Sequence, residues 1–364
     1  MSLDEIKQGL RAFAAGRAAG VSPLYEHLAE RAAEDDEVAG LLTPGADPAL
    51  LLAAAHRLIQ ADPVHPLSRY YPSLSGFDGV DGGTWPTFRE FLLERADRVR
   101  ALVSTREIVS NEVRRATGLY PAVGMAAKAA GGKVGLLEVG CGAGLLLGLD
   151  RFGYRYQCAG GEQITAGPAK TPVGLHCALD LGEGAKLPKM AKKVAVGARV
   201  GLDRAPIDAT DEEELAWLEA CVWADQLDRI RLLRVAATAQ RKDPPELVAG
   251  DGVDDLEATA SRIPAELPLV VLTCRALGHL GPGRAEDFVA TLGKLAAERP
   301  LWWVSDEPYE VALSQVLPLR DELAFWGEAG SCTLGLVRWQ DGVPDAAALA
   351  HTAKYGDRMT WLAH

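Results

Sequence analysis

The run Leu136-Leu137-Glu138-Val139-Gly140-Cys141-Gly142-Ala143-Gly144 constrains this chain more than any other segment. Apolar residues lead to one acidic side chain, three alternating glycines follow, and a leucine-rich run comes next. That order predicts a buried strand, a tight turn and the start of a helix. Glycine reaches positive φ without steric cost, and its missing side chain lets a ligand lie against the backbone. The spacing is G-x-G-x-G, and Leu145 stands where a dinucleotide fingerprint has its third glycine. Glu138 falls at the strand end, where a carboxylate can meet an amine or a hydroxyl.

Downstream of this segment the pattern is strand, turn, helix. Tyr154–Ala159 and Val173–Leu179 read as a hairpin inserted after the first helix, and Arg199–Leu202 as a strand ending at Asp203. A capping box at Thr210-Asp211-Glu212-Glu213 starts a long helix to about Ala237. Short strands follow at Leu247–Ala249, Leu269–Thr273 and Leu301–Val304, with a helix over Phe288–Ala297. Cys332–Trp339 and Arg358–Leu362 read as a terminal antiparallel pair. Upstream the chain reads as helical: Ser22-Pro23 and Asp47-Pro48 are cap-plus-proline starts for Leu24–Ala33 and Ala49–Gln60. Further helices are expected over Pro86–Val103 and Asn111–Ala130. The expected organisation is therefore a helical N-terminal cap domain, 1–125, and a second domain, 126–364. The second is an α/β Rossmann-like sheet, mostly parallel with an antiparallel terminal pair. Ligands of such sheets bind beyond the carboxyl ends of the strands, where Glu138, Asp203, Asp251 and Asp306 fall.

Composition narrows the partners. A formal charge of −12 argues against a general nucleic-acid binder, which needs a basic face. No apolar run is long enough to span a bilayer, and the first residues lack a secretory pattern, so a cytoplasmic protein without membrane contact is expected. The six cysteines and seven histidines are scattered, with no C-x-x-C and no H-E-x-x-H, so no metal site is argued. The oligomeric state is left open.

The strand, acidic residue and glycine turn together resemble motif I of class I S-adenosylmethionine (SAM)-dependent methyltransferases. Another nucleotide, or a purely structural turn, stays open on the same residues. SAM presents an amino-acid end, a ribose diol and an adenine. Glu138, Gly140, Gly142 and Gly144 suit the first and the approach of the ribose. Asp203 is the candidate for the ribose hydroxyls, with Glu162 as competitor; choosing Asp203 requires residues 154–180 to be an insertion. Gly250-Asp251-Gly252 resembles the motif whose acid accepts from the adenine amine. Asn111 and Arg115 are candidates for the cofactor's carboxylate end, Arg115 directly. His279, Glu112 and Tyr71 are the candidates on the reacting side: His279 as a base that titrates near neutrality, Glu112 as an orienting group, Tyr71 as an aromatic facing a sulfonium. Asn111 and Glu112 also read as helix caps, and Cys274 as a buried thiol rather than a nucleophile. Trp217, Trp223 and Trp302 read as core.

Taken whole, the chain resembles an actinobacterial family known as domain of unknown function 2332. The resemblance rests on Ser22-Pro23-Leu24-Tyr25, Tyr70-Tyr71-Pro72-Ser73, Asn111-Glu112-Val113 with Arg115, and Leu136-Leu137-Glu138-Val139-Gly140 with Ala143-Gly144-Leu145. It continues through Asp150-Arg151-Phe152, Pro206-Ile207-Asp208-Ala209-Thr210-Asp211 and Val222-Trp223 with Asp225-Gln226 and Arg229. The family pattern carries Ala and Ser where this chain has Cys141 and Gly142, and Asn where it has Leu146. The resemblance implies a methyltransferase-like fold without a reaction. The expected function is a SAM-dependent methyltransferase acting on a small molecule. The alternatives are a SAM-consuming cyclase or aminocarboxypropyl transferase releasing methylthioadenosine, and a non-catalytic SAM-binding protein.

Overall fold

Ser22 and Asp47 start their helices as their chemistry suggests. The Ser22 hydroxyl accepts the Tyr25 N–H at 3.1 Å and the Asp47 carboxylate accepts the Ala49 N–H at 2.9 Å. Each satisfies an amide that has no partner within the first helical turn. The helices run Pro23–Ala32 and Ala49–Gln60. The second is buried on almost every side, as its Leu-Leu-Leu-Ala-Ala-Ala run requires.

The computed structural model describes residues 2–281, 283–311, 313–324 and 330–363. The chain divides into two units, Met1–Asn111 with Ala209–Arg234 and Glu112–Asp208 with Val235–His364. A single boundary near residue 125 therefore gives way to a discontinuous first unit. The reason is aromatic packing: Trp217, Trp223 and Ala224 are buried in the same core as Phe13, Tyr25, Leu52 and Phe88. Trp223 stacks on Tyr25 with ring centres 5.5 Å apart and meets Phe13 edge-on at 5.8 Å. To place that indole, the helix expected through Ala237 breaks into Glu212–Cys221 and Leu227–Gln240. Asp211 caps the first piece, accepting from Glu213 N–H and Glu214 N–H. The helix expected over Pro86–Val103 also breaks, at Arg95, into Thr84–Glu94 and Ala96–Thr105. There the Arg95 guanidinium covers the Phe91 ring and pairs with Asp62 at 2.8 Å. Among the described residues no helix is long and apolar enough to cross a membrane.

In the second unit, eleven strands among the described residues form one sheet. They are β1 (Lys133–Val139), β2 (Gly153–Cys158), β3 (Gln163–Ala166), β4 (Gly174–Leu181), β5 (Ala195–Asp203) and β6 (Glu246–Ala249). The remainder are β7 (Leu269–Cys274), β8 (Leu301–Glu307), β9 (Cys332–Gln340), β10 (Val343–Thr352) and β11 (Arg358–Trp361). Their order is β3-β2-β4-β11-β10-β9-β8-β7-β1-β5-β6. β6, β5, β1, β7 and β8 are mutually parallel. β7 and β8 are buried along their whole length because helices cover both faces. Ala116–Ala129 brings Gly118 against Thr352 on one face, and Arg284–Glu298 packs Phe288 against Trp303 on the other.

Three expectations are corrected. β9 and the Arg358–Leu362 strand do not pair; β10 lies between them and pairs antiparallel with both. Between Val343 and Thr352 its alanine-rich sequence has none of the β-branched residues that mark a strand. The Asp341-Gly342 turn before it has positive φ at both residues, the two-residue hairpin geometry. Second, β2 pairs antiparallel with β3 but parallel with β4, so residues 154–179 are not one hairpin. Third, the glycine turn leads into a seven-residue 3₁₀ stretch, Leu145–Arg151, and not into an α-helix.

Candidate functional site

β5 lies directly beside β1 in parallel register, so Asp203 ends the strand next to Glu138, and β2–β4 sit towards the far edge of the sheet. Glu162, in the β2–β3 turn, belongs to that edge and is not a neighbour of the glycine turn.

Gly140, Gly142 and Gly144 all have left-handed φ, at 74°, 53° and 65°. Their amides donate inward: Gly140 to the Leu202 carbonyl at 2.8 Å, Gly142 to Asp203 Oδ2 at 2.8 Å, and Gly144 to the Cys141 carbonyl at 2.7 Å. The Gly140 and Gly142 amides therefore hold the turn against β5, and the Gly144 amide closes the turn on itself. Packing demands the glycines as well. A Cβ on Gly140 would lie 2.3 Å from Ala276 Cβ, and one on Gly144 2.9 Å from Leu247 Cδ2. Gly140 itself remains exposed.

Beneath the turn, Glu138 is 3% exposed and its Oε2 has no hydrogen-bond partner. Burial, and then the neighbouring Asp203 charge, push its carboxyl well above the usual range. The Cys141 thiol is pushed up by burial and by the same two carboxylates, and it packs against Gly201. Asp203 accepts one N–H on each oxygen, from Gly142 and from Ala205 at 2.9 Å. A carboxylate has about four acceptor positions, so two sites remain for ligand hydroxyls. Asp251, just past β6, accepts from Val253 N–H and Asp254 N–H and pairs with Arg284, all through Oδ1. The Val253 amide foremost, with Asp254 and Arg284, holds its carboxyl below the usual range against the opposing effect of desolvation. Gly252 lies where a Cβ would be 2.9 Å from Val139, so the third acidic segment closes on the end of β1.

The ends of β7 and β8 contribute groups that the sequence reading missed. Glu307 is buried; its Oε1 accepts from Ala276 N–H and Leu277 N–H at 2.9 and 3.3 Å, and its Oε2 has no partner. Burial pushes this carboxyl up to about 7. The signal was its place beside Asp306 at the end of an apolar strand. Arg275 takes a left-handed φ of 57°, an uncommon state for a side-chain-bearing residue, while its guanidinium donates to the Gly330 and Ala353 carbonyls. Cys274 is buried against Asp306 with its thiol pushed up, which fits a protonated core thiol.

The other predicted residues are placed as follows. His279 is exposed at the end of the turn Leu277–His279 after β7. Glu112 is buried and caps the short turn Val113–Arg115, accepting from Arg114 N–H at 3.4 Å. Arg115 is buried with its Nε donating to the Lys354 carbonyl at 3.2 Å. Tyr71 and Asn111 belong to the helical unit. Tyr71 is fully buried in that unit's core, its ring 5.5 Å from that of His56 and its hydroxyl pushed up by burial.

A family model described as "Uncharacterized protein conserved in bacteria (DUF2332)" matches residues 7–361. No curated protein and no solved structure matches the chain.

Proposed function

The chain belongs to this family, and we propose that its second unit binds SAM and acts as a SAM-dependent transferase on a small molecule, in the manner of a methyltransferase. One observation carries the reading. Three adjacent parallel strands, β1, β5 and β6, end in or lead to an acidic side chain around a three-glycine turn: Glu138, Asp203 and Asp251. Glu138 keeps a buried oxygen without a partner, suited to an ammonium or hydroxyl. Asp203 keeps acceptor capacity for a ribose diol, and Asp251 keeps its Oδ2 for an exocyclic amine. The turn continues into a 3₁₀ stretch, so it lacks the long helix whose dipole holds a pyrophosphate. That favours a cationic adenosyl ligand over a dinucleotide. When bound, SAM supplies a methyl group on a sulfonium, already activated for displacement. The protein's part is then to orient an acceptor and exclude water.

The second reading is a non-catalytic SAM-binding protein. The exposure of His279, the candidate base, and the lack of an acceptor-side motif such as N-P-P-Y favour it. Isothermal titration of the full chain with SAM and S-adenosylhomocysteine tests both; saturable heat is expected, and none at high micromolar ligand overturns the assignment. Mass spectrometry of the nucleoside product separates the reactions. S-adenosylhomocysteine means methyl transfer, methylthioadenosine means cyclisation or arm transfer, and no product with any cell-extract acceptor leaves the binding protein.

A further inference from the structure

At the opposite end of the sheet from the glycine turn lies a cavity of about 810 Å³. It opens beside Gly132 and Ala195, where β1 and β5 begin, so the length of β1 separates it from Glu138 by roughly 20 Å. Its wall includes Lys128, Lys186, Lys189, Lys192 and Lys193, and no acidic residue. These are five of the eleven lysines in a chain whose formal charge is −12. Several cations elsewhere are matched internally: Lys7 pairs with Asp36, Lys294 with Glu257, Arg199 with Asp150 and Arg106 with Glu214. Among the described residues none of the five forms an ion pair within 4.0 Å. Between the lysines the wall is apolar, with Met125, Leu187, Met190 and Trp361.

The strap that carries four of the lysines, between β4 and β5, is fixed to its surroundings. Gly182 N–H donates to the Trp361 carbonyl at 2.8 Å and Lys186 N–H to the Ala363 carbonyl at 3.2 Å. The Tyr120 hydroxyl donates to the Ala191 carbonyl at 3.0 Å. Gly124 leaves the room that strap needs, since a Cβ there would lie 2.9 Å from that of Ala191. The cavity is therefore preformed, and its size is that of a small-molecule site and not of a flat polyanion-binding face.

We propose that this cavity binds a small amphiphilic anion, its phosphate or carboxylate head among the lysines and its hydrocarbon body on Met125, Leu187, Met190 and Trp361. Lysine ammonium groups act as mobile point charges that suit such a head. The site is independent of the glycine turn. The test is isothermal titration of the full chain with octyl phosphate below its micelle-forming concentration, with inorganic phosphate and octyl glucoside as parallel arms. Saturable binding of octyl phosphate is expected, much weaker binding of either half alone, and loss of affinity with rising salt. The exposed triple change Lys189→Ala, Lys192→Ala, Lys193→Ala is expected to weaken octyl phosphate by about tenfold, the sum of three modest surface charge interactions. Its melting temperature and its SAM titration should stay unchanged. Equal binding of octyl glucoside, an unaffected triple variant, or no saturable heat at millimolar octyl phosphate overturns the proposal.

Discussion

Glu138 is the residue on which the proposed binding at the glycine turn depends. A carboxyl so buried, beside a second carboxylate, is costly unless something cationic or hydrogen-bonding completes it. Glu138→Gln keeps the shape and removes the carboxyl that could ionise against a cationic ligand. Hydrogen bonds to charged groups are worth about 1.5–3 kcal/mol, so SAM affinity should fall at least about tenfold in a titration. Affinity equal to that of the unaltered protein would mean that the ligand does not use this oxygen. The position was legible because an acid at the end of an apolar strand is chemically conspicuous. Glu307 carries the same signal at the end of β8, but its role did not follow from it, because nothing local shows that its neighbours are the amides of Ala276 and Leu277.

Among the elements, the Ala49–Gln60 helix shows how burial sets a pH response. His56 is fully buried in it, with Nε2 2.8 Å from the Ser73 hydroxyl and Nδ1 3.3 Å from the Ala220 carbonyl. It thereby ties the Pro72–Leu74 turn and the Glu212–Cys221 helix to its own helix. Burial pushes the imidazole down to about 4, against the opposing pull of the Ala220 and Val222 carbonyls. The unfolded chain, titrating at its ordinary 6.5, binds a proton that the folded state refuses. The stability from this group is thus whole above pH 6.5 and is lost as pH falls towards 4. The size is roughly 3 kcal/mol at 1.36 kcal/mol per unit. Urea denaturation at neutral and mildly acidic pH should show the loss, and His56→Gln should make it shallower. An identical pH slope in the variant would place the proton elsewhere.

At the scale of the whole molecule, the discontinuous first unit has a direct consequence. A fragment ending at residue 111 lacks Trp217, Trp223 and Ala224 and exposes the faces of Phe13 and Tyr25 that they cover. Each lost tryptophan contact is of the size of a large-to-small core change, about 3–5 kcal/mol, comparable with the stability of a small domain. The fragment should therefore be degraded rapidly under limited proteolysis. Covalent restoration of Ala209–Arg234 through a flexible linker should recover protection and a cooperative melt. A well-protected fragment 1–111 would show that the returning segment is dispensable.

Local chemistry by itself determined the helix starts at Ser22 and Asp47, the strand into Glu138 and the positive φ of the three glycines, because caps, turns and apolar runs act between residues a few positions apart. Only the tertiary structure decided that the amides of Gly140 and Gly142 face β5, that β10 separates β9 from β11, and that Ala209–Arg234 joins the first unit. Each of those outcomes depends on which distant surface a segment finds to bury, and the sequence neighbours of that segment carry no record of it.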